Sequence, residues 1–325
     1  MPSLRTALQW LLVAAPAVTL ALPAQRNVLT PRIVARQEAA PSASSSSAAP
    51  AASAPPAAAP APGGGLTDID ILQFALTAEH LESAFYQQGF AKFPMSDFQA
   101  LGLSDTNIKS LQQVAQTEAT HVSTLLSVIS GAGTQPVQPC QYNFAFTDAK
   151  AMVATARVLE AVGVSAYLGA APLINSSDIL SAAASIATVE SRHQSFIRVA
   201  SGAEPVPAAF DTALGPRAVF TLAAQFIQSC PEGSNLNIQP FPAIALQNPE
   251  KATVGQNLAL ADASQPAGAQ FCAFVAPGGN QFEPLTNGNC VVPQNLSGEV
   301  YMMLTKSKSV ADAEVLAGPS VIQPS

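Results

Sequence analysis

Four long segments in the middle of the chain place apolar residues three or four positions apart, which is the pattern of amphipathic α-helices. A residue that favours helix N-termini precedes each segment: Thr67, Ser104, Thr147, and Ser176 or Ser177. The predicted helices cover residues 68–88, 105–130, 148–168 and 178–201. At the helical rise per residue, each is about 31–39 Å long. Helices of such similar length predict a mainly α protein with a four-helix bundle at 66–230.

The connections between these helices constrain how the bundle is wired. About 16 residues, 131–146, join the second helix to the third, and such a segment spans about 53 Å when fully extended. It can cross the whole bundle, so we predict a crossover that leaves the second and third helices parallel. The shorter 169–177 connection suits antiparallel neighbours. The length of the first connection does not decide the direction of the second helix.

The sequence changes character after the bundle. Residues 216–228 predict a further short helix, and beyond Cys230 proline, asparagine and glycine become frequent. Alternating residues at 300–305 predict a strand, and 270–275 and 288–292 are weaker strand candidates. We therefore expect a small β-rich C-terminal region at 231–325. The alternative is an irregular tail that wraps the bundle.

The N-terminus has the features of a secretory signal peptide at 1–24. Arg5 supplies a positive charge, residues 10–20 are mainly apolar, and small residues follow at Ala21 and Ala24. The apolar run is too short for a membrane span, and no later stretch is long enough, so we expect no span. The alternative for this segment is an N-terminal anchor. Residues 25–65 are rich in Ala, Ser and Pro and predict a disordered linker. We therefore expect a secreted protein, extracellular or in the cell wall.

Charge and cysteine content narrow the class of protein. The chain has 14 basic and 21 acidic residues, and the resulting net charge of −7 argues against a nucleic-acid partner. Four cysteines in a secreted protein favour two disulfides, for which three pairings exist. The pairing that we favour is Cys140–Cys230 with Cys272–Cys290. Two sequons predict N-glycosylation, at Asn175 and Asn295.

The chemistry of the predicted bundle comes from glutamate and histidine. Two of the 3 histidines close an E-x-x-H motif, Glu118–His121 in the second helix and Glu190–His193 in the fourth. The i, i+3 spacing puts both side chains of a motif on one helical face, where they can hold one ion together. A single such motif is weak evidence, but two in a protein with so few histidines are much stronger.

The first and third helices contain a second repeated motif. Glu79 is followed seven residues later by Tyr86, and Glu160 seven residues later by Tyr167. Seven residues make about two turns, so each tyrosine shares a face with its glutamate. The tyrosines either contact the glutamates or only pack in the bundle. All four motif glutamates lie near the middle of their helices, where unpaired carboxylates are costly. Two divalent cations, Fe or Mn, would neutralise them.

Other charged residues offer competing interpretations. Glu82 lies one turn from Glu79 and is its main rival as a ligand; we prefer Glu79 because it keeps the seven-residue relation to tyrosine. His80 points about 100° away from Glu79 and is expected to be structural or exposed. Arg157 is expected to form a solvated ion pair. The motif glutamates and histidines could also form a hydrogen-bonded core cluster or lie at the surface.

Two stretches resemble a known family. Residues 71–82, ILQFALTAEHLE, and residues 216–223, PRAVFTLA, are similar to fungal secreted ferritin-like proteins. These proteins are grouped with stress-response, late-sexual-development and plant desiccation-related proteins, within the ferritin-like di-metal carboxylate superfamily. The resemblance covers about residues 67–230 and implies six metal ligands: Glu79, Glu118, His121, Glu160, Glu190 and His193. It also implies that Glu118 and Glu190 bridge the two metal ions.

Two classes of function follow from these observations. The first is a secreted protein with a di-iron or di-manganese centre that reacts with O2 or peroxide. If it is an enzyme, it is a di-metal oxidase or a peroxide-reducing oxidoreductase, and no catalytic residue is assigned. The second is a non-enzymatic stress-response or cell-surface structural protein that retains the fold. The metal content of the purified protein discriminates between them.

Overall fold

A computed structural model describes residues 66–234, 236–247, 252–261 and 266–324. The predicted signal peptide at 1–24 and the predicted linker at 25–65 lie outside these residues, so both stay predictions.

Four long helices form where the hydrophobic period predicts them. The helices of the described residues are α1 (Asp68–Lys92), α2 (Met95–Ala100), α3 (Asp105–Gly131), α4 (Ala149–Ala170), α5 (Ser177–Ala200) and α6 (Pro216–Ala224). The short α2 was not predicted. Thr67 begins α1 with a capping box, in which the Asp70 carboxylate accepts a hydrogen bond from Thr67 N.

The start of α4 differs from the prediction. Thr147 is not its N-cap, because Asp148 takes that position and its carboxylate accepts a hydrogen bond from Ala151 N at 2.7 Å. At α5 the open choice between two serines falls on Ser176, whose hydroxyl accepts from Ile179 N. Both caps satisfy backbone N–H groups that the first helical turn leaves without partners.

The long helices pack in two pairs, α1 on α3 and α4 on α5, and α1 also contacts α4. The segment between α3 and α4 runs along α1. Near the start of α1, Gln73 donates to Gln135 O and accepts from Val137 N, both at 2.8 Å. Near its end, Phe146 packs on Phe85 and its carbonyl accepts from Lys92 Nζ.

The C-terminal part of the chain consists mainly of strands. The strands of the described residues are β1 (Gln141–Tyr142), β2 (Ile227–Ser229), β3 (Asn257–Ala259), β4 (Phe271–Ala276), β5 (Gly279–Pro284), β6 (Asn289–Val291), β7 (Val300–Thr305) and β8 (Val315–Ile322). An antiparallel sheet has the order β5-β4-β7-β8, and two smaller sheets pair β1 with β2 and β3 with β6. The predicted strand at 300–305 is confirmed as β7, but all six of its residues are buried, so both faces are covered.

This sheet shares a hydrophobic core with the helices. Val162 of α4 and Val219 of α6 belong to the same buried cluster as Tyr301 and Met303 of β7. The Tyr301 hydroxyl also lies 2.8 Å from Ser165 Oγ and 3.1 Å from the Ala161 carbonyl oxygen. The C-terminal strands therefore pack against the face of α4.

An ion cluster strengthens the same contact. The predicted solvated ion pair of Arg157 is wrong, because Arg157 Nε donates to Glu299 Oε1 at 2.6 Å and its side chain is only 14% exposed. Arg198 of α5 donates to the other carboxylate oxygen of Glu299. Both basic residues lie on bundle helices, whereas Glu299 directly precedes β7.

The cysteines form the two favoured pairs, Cys140–Cys230 and Cys272–Cys290. No free cysteine occurs among the described residues. Asn175 and Asn295, the predicted glycosylation sites, are both exposed. One helical segment of the described chain, Ala149–Leu173, is apolar and long enough to cross a membrane, but 67% of its most apolar window is buried inside the fold. That is weak evidence for a membrane span.

Candidate metal centre

The structure brings the four motif glutamates together inside the bundle. Each comes from the middle of a different long helix, and each has no exposed surface: Glu79, Glu118, Glu160 and Glu190. The surrounding helices are rich in alanine, valine and leucine, so these carboxylates are removed from water. His121 and His193 lie beside them and are also buried.

His121 defines one half of the cluster. Its Nδ1 lies 3.3 Å from Glu79 Oε2, 3.3 Å from Glu118 Oε2 and 3.1 Å from Glu190 Oε1. Of these contacts, the one to Glu118 has hydrogen-bond geometry. One nitrogen therefore faces three carboxylates that belong to three different helices.

His193 defines the other half in the same way. Its Nδ1 lies 2.7 Å from Glu118 Oε1 and 3.3 Å from Glu160 Oε2. Neither contact has hydrogen-bond geometry, and His193 Nδ1 has no hydrogen-bond partner among the described residues. The two imidazole rings lie 6.2 Å apart, centroid to centroid.

These contacts form two groups of potential ligands. Within each group, one donor atom per residue lies within 4.8 Å of all the others. The first group is Glu79, Glu118, His121 and Glu190. The second group is Glu118, Glu160, Glu190 and His193. Glu118 and Glu190 belong to both groups. The arrangement is therefore that of two adjacent positions joined by two shared carboxylates.

Several oxygens of the cluster have no partner. Among the described residues, Glu79 Oε2, Glu118 Oε1, Glu160 Oε2 and both oxygens of Glu190 are buried without a hydrogen bond. A buried carboxylate oxygen left in this way is costly. Carboxylate oxygens and imidazole nitrogens directed at common points are the donor set that divalent transition metals take. The residues present therefore fit a pair of metal ions.

The two tyrosines hydrogen-bond to the cluster across the bundle. Tyr167 Oη on α4 donates to Glu79 Oε1 on α1 at 2.5 Å, and Tyr86 Oη on α1 donates to Glu160 Oε1 on α4. Of the two readings that the sequence left open, the structure shows contact with glutamate. The partner is the glutamate of the other helix, which the seven-residue spacing could not reveal.

A threonine that sequence reasoning missed orients one histidine. Thr117 Oγ1 lies 2.9 Å from His193 Nε2. Thr117 Oγ1 also lies 2.7 Å from Val114 O and 3.1 Å from Gln113 O, and its single proton is directed to these backbone carbonyls. The hydroxyl oxygen therefore accepts from His193 Nε2–H, which leaves Nδ1 to face the carboxylates. The only sequence signal was a threonine directly before the E-x-x-H motif.

Glu82 is a fifth buried carboxylate next to the centre. It belongs to neither ligand group, yet it is only 4% exposed. A Cβ added at Gly163 would lie 2.9 Å from Glu82 Oε1 and 3.0 Å from Glu190 Oε2, so the missing side chain of this glycine makes room for both acids. His80, in contrast, is buried and its Nε2 lies 3.2 Å from the Val137 carbonyl oxygen, so of the two expected alternatives, structural or exposed, the structure shows the first.

Burial and mutual contacts shift the protonation of the cluster. Burial raises the pKa of Glu79 to about 7, although the neighbouring His121 opposes the shift. Burial also opposes ionisation of Glu118, but the adjacent His121 and His193 hold its pKa at about 2. Burial disfavours both imidazolium ions, but their carboxylate neighbours raise the pKa of His121 to about 12 and of His193 to about 10. Protons and metal ions would therefore compete for the same carboxylates and imidazoles.

Comparison with known families gives a match for the helical part of the chain. Residues 67–203 match the family model described as a ferritin-like domain. This segment is therefore a ferritin-like domain, which confirms the resemblance expected from the sequence, and a C-terminal strand region follows it.

A fungal protein also matches the chain. It is Protein rds1 of Schizosaccharomyces pombe, 27% identical over 183 residues. The alignment covers 56% of this chain but spans only 45% of the length of the relative. The similarity therefore supports a fungal ferritin-like family.

Proposed function

We propose that this protein binds two divalent cations, iron or manganese, at the centre of its bundle. Glu79 and His121 would hold one ion and Glu160 and His193 the other, with Glu118 and Glu190 bridging them. The observation that carries the proposal is the set of buried, unpartnered carboxylate oxygens shared between two ligand groups.

A protein-only explanation of the cluster is less satisfactory. A hydrogen-bonded core would direct its donors at its acceptors, but His193 Nδ1 and four of the carboxylates have atoms without partners among the described residues. The tyrosines hold the outward oxygens of Glu79 and Glu160, so that the other oxygen of each faces the histidines. Such outer hydrogen bonds orient ligands in metal centres.

The expected chemistry is redox chemistry outside the cell. A pair of iron or manganese ions, when bound, supplies electron transfer to O2 or peroxide. The residues of this chain would position the ions, exclude water and hold the carboxylates in place through Tyr86 and Tyr167. Two disulfides support an extracellular location, and secretion through the segment at 1–24 is part of the proposal.

We also propose that the connection between α3 and α4 is a crossover. It contacts Gln73 in the first turns of α1 and Lys92 in its last turn. These two residues are about 28 Å apart along a helix. A segment that follows α1 over this distance leaves α3 and α4 parallel.

Metal content tests the proposal. The full chain, secreted from a eukaryotic host and dialysed against Mn(II) or Fe(II), should retain two ions per chain, measured by mass spectrometry of the metals. Glu118→Gln and Glu190→Gln should each abolish retention, because each removes a shared charge from both positions. Glu82→Gln is the matched control, since it replaces a buried acid that belongs to neither ligand group.

Two outcomes would contradict the proposal or its choice of ligands. Wild-type protein that retains neither metal would contradict the proposal and favour the non-enzymatic stress-response or cell-surface function. Retention that is lost in Glu82→Gln but kept in Glu118→Gln would show that the ligands have been misassigned.

A further inference from the structure

An apolar cavity lies between the four long helices and adjoins the metal centre. Its volume is about 210 Å³. Its exposed lining residues are Thr124, Val128, Asp178 and Ala182, and its buried ones include Glu82, Gly163 and Tyr167. Every long helix contributes to its wall, so the cavity runs from the surface of the bundle toward its centre.

Small side chains create the space. Alanines line the wall on three helices, together with larger aliphatic residues: Ala75, Ala78, Ala166, Ala170, Ala183 and Ile186. The wall has almost no polar surface apart from the acidic residues and the hydroxyls. Such an apolar lining favours an apolar occupant; an enclosed, engineered apolar cavity of about 150 Å³ binds benzene.

The inner end of the cavity is connected to the proposed ligands. The Tyr167 hydroxyl donates to Glu79. The Gly163 position lies within contact distance of both Glu82 Oε1 and Glu190 Oε2. An occupant that reaches Glu82 therefore reaches the neighbourhood of a shared carboxylate.

Glu82 supplies the polar contact for such an occupant. It is 4% exposed and has no hydrogen-bond partner among the described residues. A buried polar group without a partner favours a ligand that can hydrogen-bond to it. No lysine, arginine or histidine lines the cavity, so a carboxylate or phosphate head group would lie uncompensated beside acidic residues.

We propose that this cavity binds a neutral, mainly apolar molecule with one hydroxyl group, of the class of medium-chain alcohols, with the hydroxyl at Glu82. As a substrate site the cavity rests on the proposed function, because the bound hydroxyl then lies beside the metal centre. As a binding site it rests on the geometry alone.

A second cavity provides the main competing location. It has a volume of about 440 Å³, lies between α1, α4, α6 and β8, and also touches Glu82 and Gly163. Tyr167 does not line it, and its wall includes polar residues such as Gln225 and Ser320. We assign the ligand to the first cavity because its lining is more apolar and because it also reaches the tyrosine bound to Glu79.

Calorimetric titration with n-alcohols from 1-butanol to 1-decanol tests this assignment. Affinity should rise about fourfold per added methylene until the chain fills the cavity, and then level off. Octanoate at pH 7 should bind at least about tenfold more weakly than 1-octanol, because its charge lacks a partner. Ala183→Leu, which narrows the cavity, should weaken 1-octanol binding by a similar factor.

Two variants control for location and folding. Ala184→Leu adds the same bulk at an exposed position of α5 that does not line the cavity, and it should leave binding unchanged. Ala224→Leu fills the second cavity and should also leave binding unchanged. All variants are first shown to keep the wild-type circular dichroism spectrum.

The titrations are run on chelator-treated and on metal-loaded protein, so that the two proposals fail separately. Alcohol binding without any metal retention would overturn the di-metal function and leave the cavity assignment intact. Metal retention without alcohol binding would overturn the cavity assignment and leave the di-metal function intact. Equal affinity for octanoate and 1-octanol would contradict the choice of a neutral ligand. Binding lost in Ala224→Leu but not in Ala183→Leu would contradict the assignment of the ligand to the first cavity.

Discussion

Glu299 connects the C-terminal strands to the helices that carry the metal centre, and its removal should strongly destabilise the protein. The side chain is only 5% exposed. Its two oxygens accept hydrogen bonds from Arg157 Nε on α4 and from Arg198 on α5. Gln194 Nε2 adds a further contact at 3.3 Å. Glu299→Ala therefore removes the carboxylate on which three bundle side chains converge.

The size of the destabilisation follows from the burial of Arg198, which forms an ion pair with Glu299. Arg198 is 4% exposed, and burial lowers the pKa of its guanidinium while Glu299 opposes that shift. Breaking a buried ion pair on one side leaves an uncompensated charge and costs about 3–5 kcal/mol. For a folded region of this size, that corresponds to a fall in Tm of about 6–10 °C.

Thermal unfolding followed by circular dichroism measures this effect. Glu283→Ala is the matched control, because Glu283 lies in β5 of the same sheet and has no ion-pair partner within 4.0 Å in the described residues. Its loss should change Tm by about 1 °C or less. If Glu299→Ala shifted Tm no more than Glu283→Ala, the ion cluster would not hold the two parts of the fold together.

Two further predictions concern the metal centre. Tyr167→Phe removes the hydroxyl that holds Glu79, so Mn(II) affinity measured by calorimetry should fall about 10–100-fold; unchanged affinity would show that the hydroxyl does not orient the ligand. Gly163→Ala should favour the helix by up to about 1 kcal/mol but weaken Mn(II) binding, because its methyl group lies 3.0 Å from a Glu190 oxygen. Gly131→Ala, where nothing lies within 4 Å, is the control and should bind Mn(II) as tightly as the wild type.

The parts of the structure that could be predicted from the sequence depend on short-range periodicity. Hydrophobic spacing and capping residues located the four long helices to within a few residues, because both signals act within one or two turns. The i, i+3 motifs placed each histidine with its glutamate, since that relation is internal to a helix. The mid-helix position of all four glutamates then indicated that they meet at one level of the bundle.

The features that could not be predicted from the sequence depend on contacts between distant segments of the chain. Periodicity shows which face a tyrosine occupies but not that it reaches the glutamate of another helix. In the same way, Arg157 looked like a surface residue because its partner, Glu299, is 142 positions away. The strands β5 and β8 were missed because one is largely polar and the other contains Gly318 and Pro319, which weaken the strand pattern.

The two metal positions should differ in affinity although their ligands repeat. Directly before the shared glutamate, the first E-x-x-H helix has Thr117 and the second has Val189. Thr117 fixes His193 through Nε2 at 2.9 Å, whereas His121 Nε2 makes no hydrogen bond within the described chain. A histidine with a fixed orientation is the better ligand, because less freedom is lost on binding.

Thr117→Val tests this difference directly. The change removes the hydroxyl but keeps nearly the same shape, and it leaves all six proposed ligands in place. Calorimetric titration with Mn(II) should show two steps in the wild type. In the variant, the tighter step should weaken about 10–100-fold and merge with the other, which should be unchanged. Equal weakening of both steps, or a single step in the wild type, would mean that the threonine does not distinguish the positions. Circular dichroism of the variant should match the wild type, since the Thr117 hydroxyl is otherwise bound only to carbonyls of its own helix.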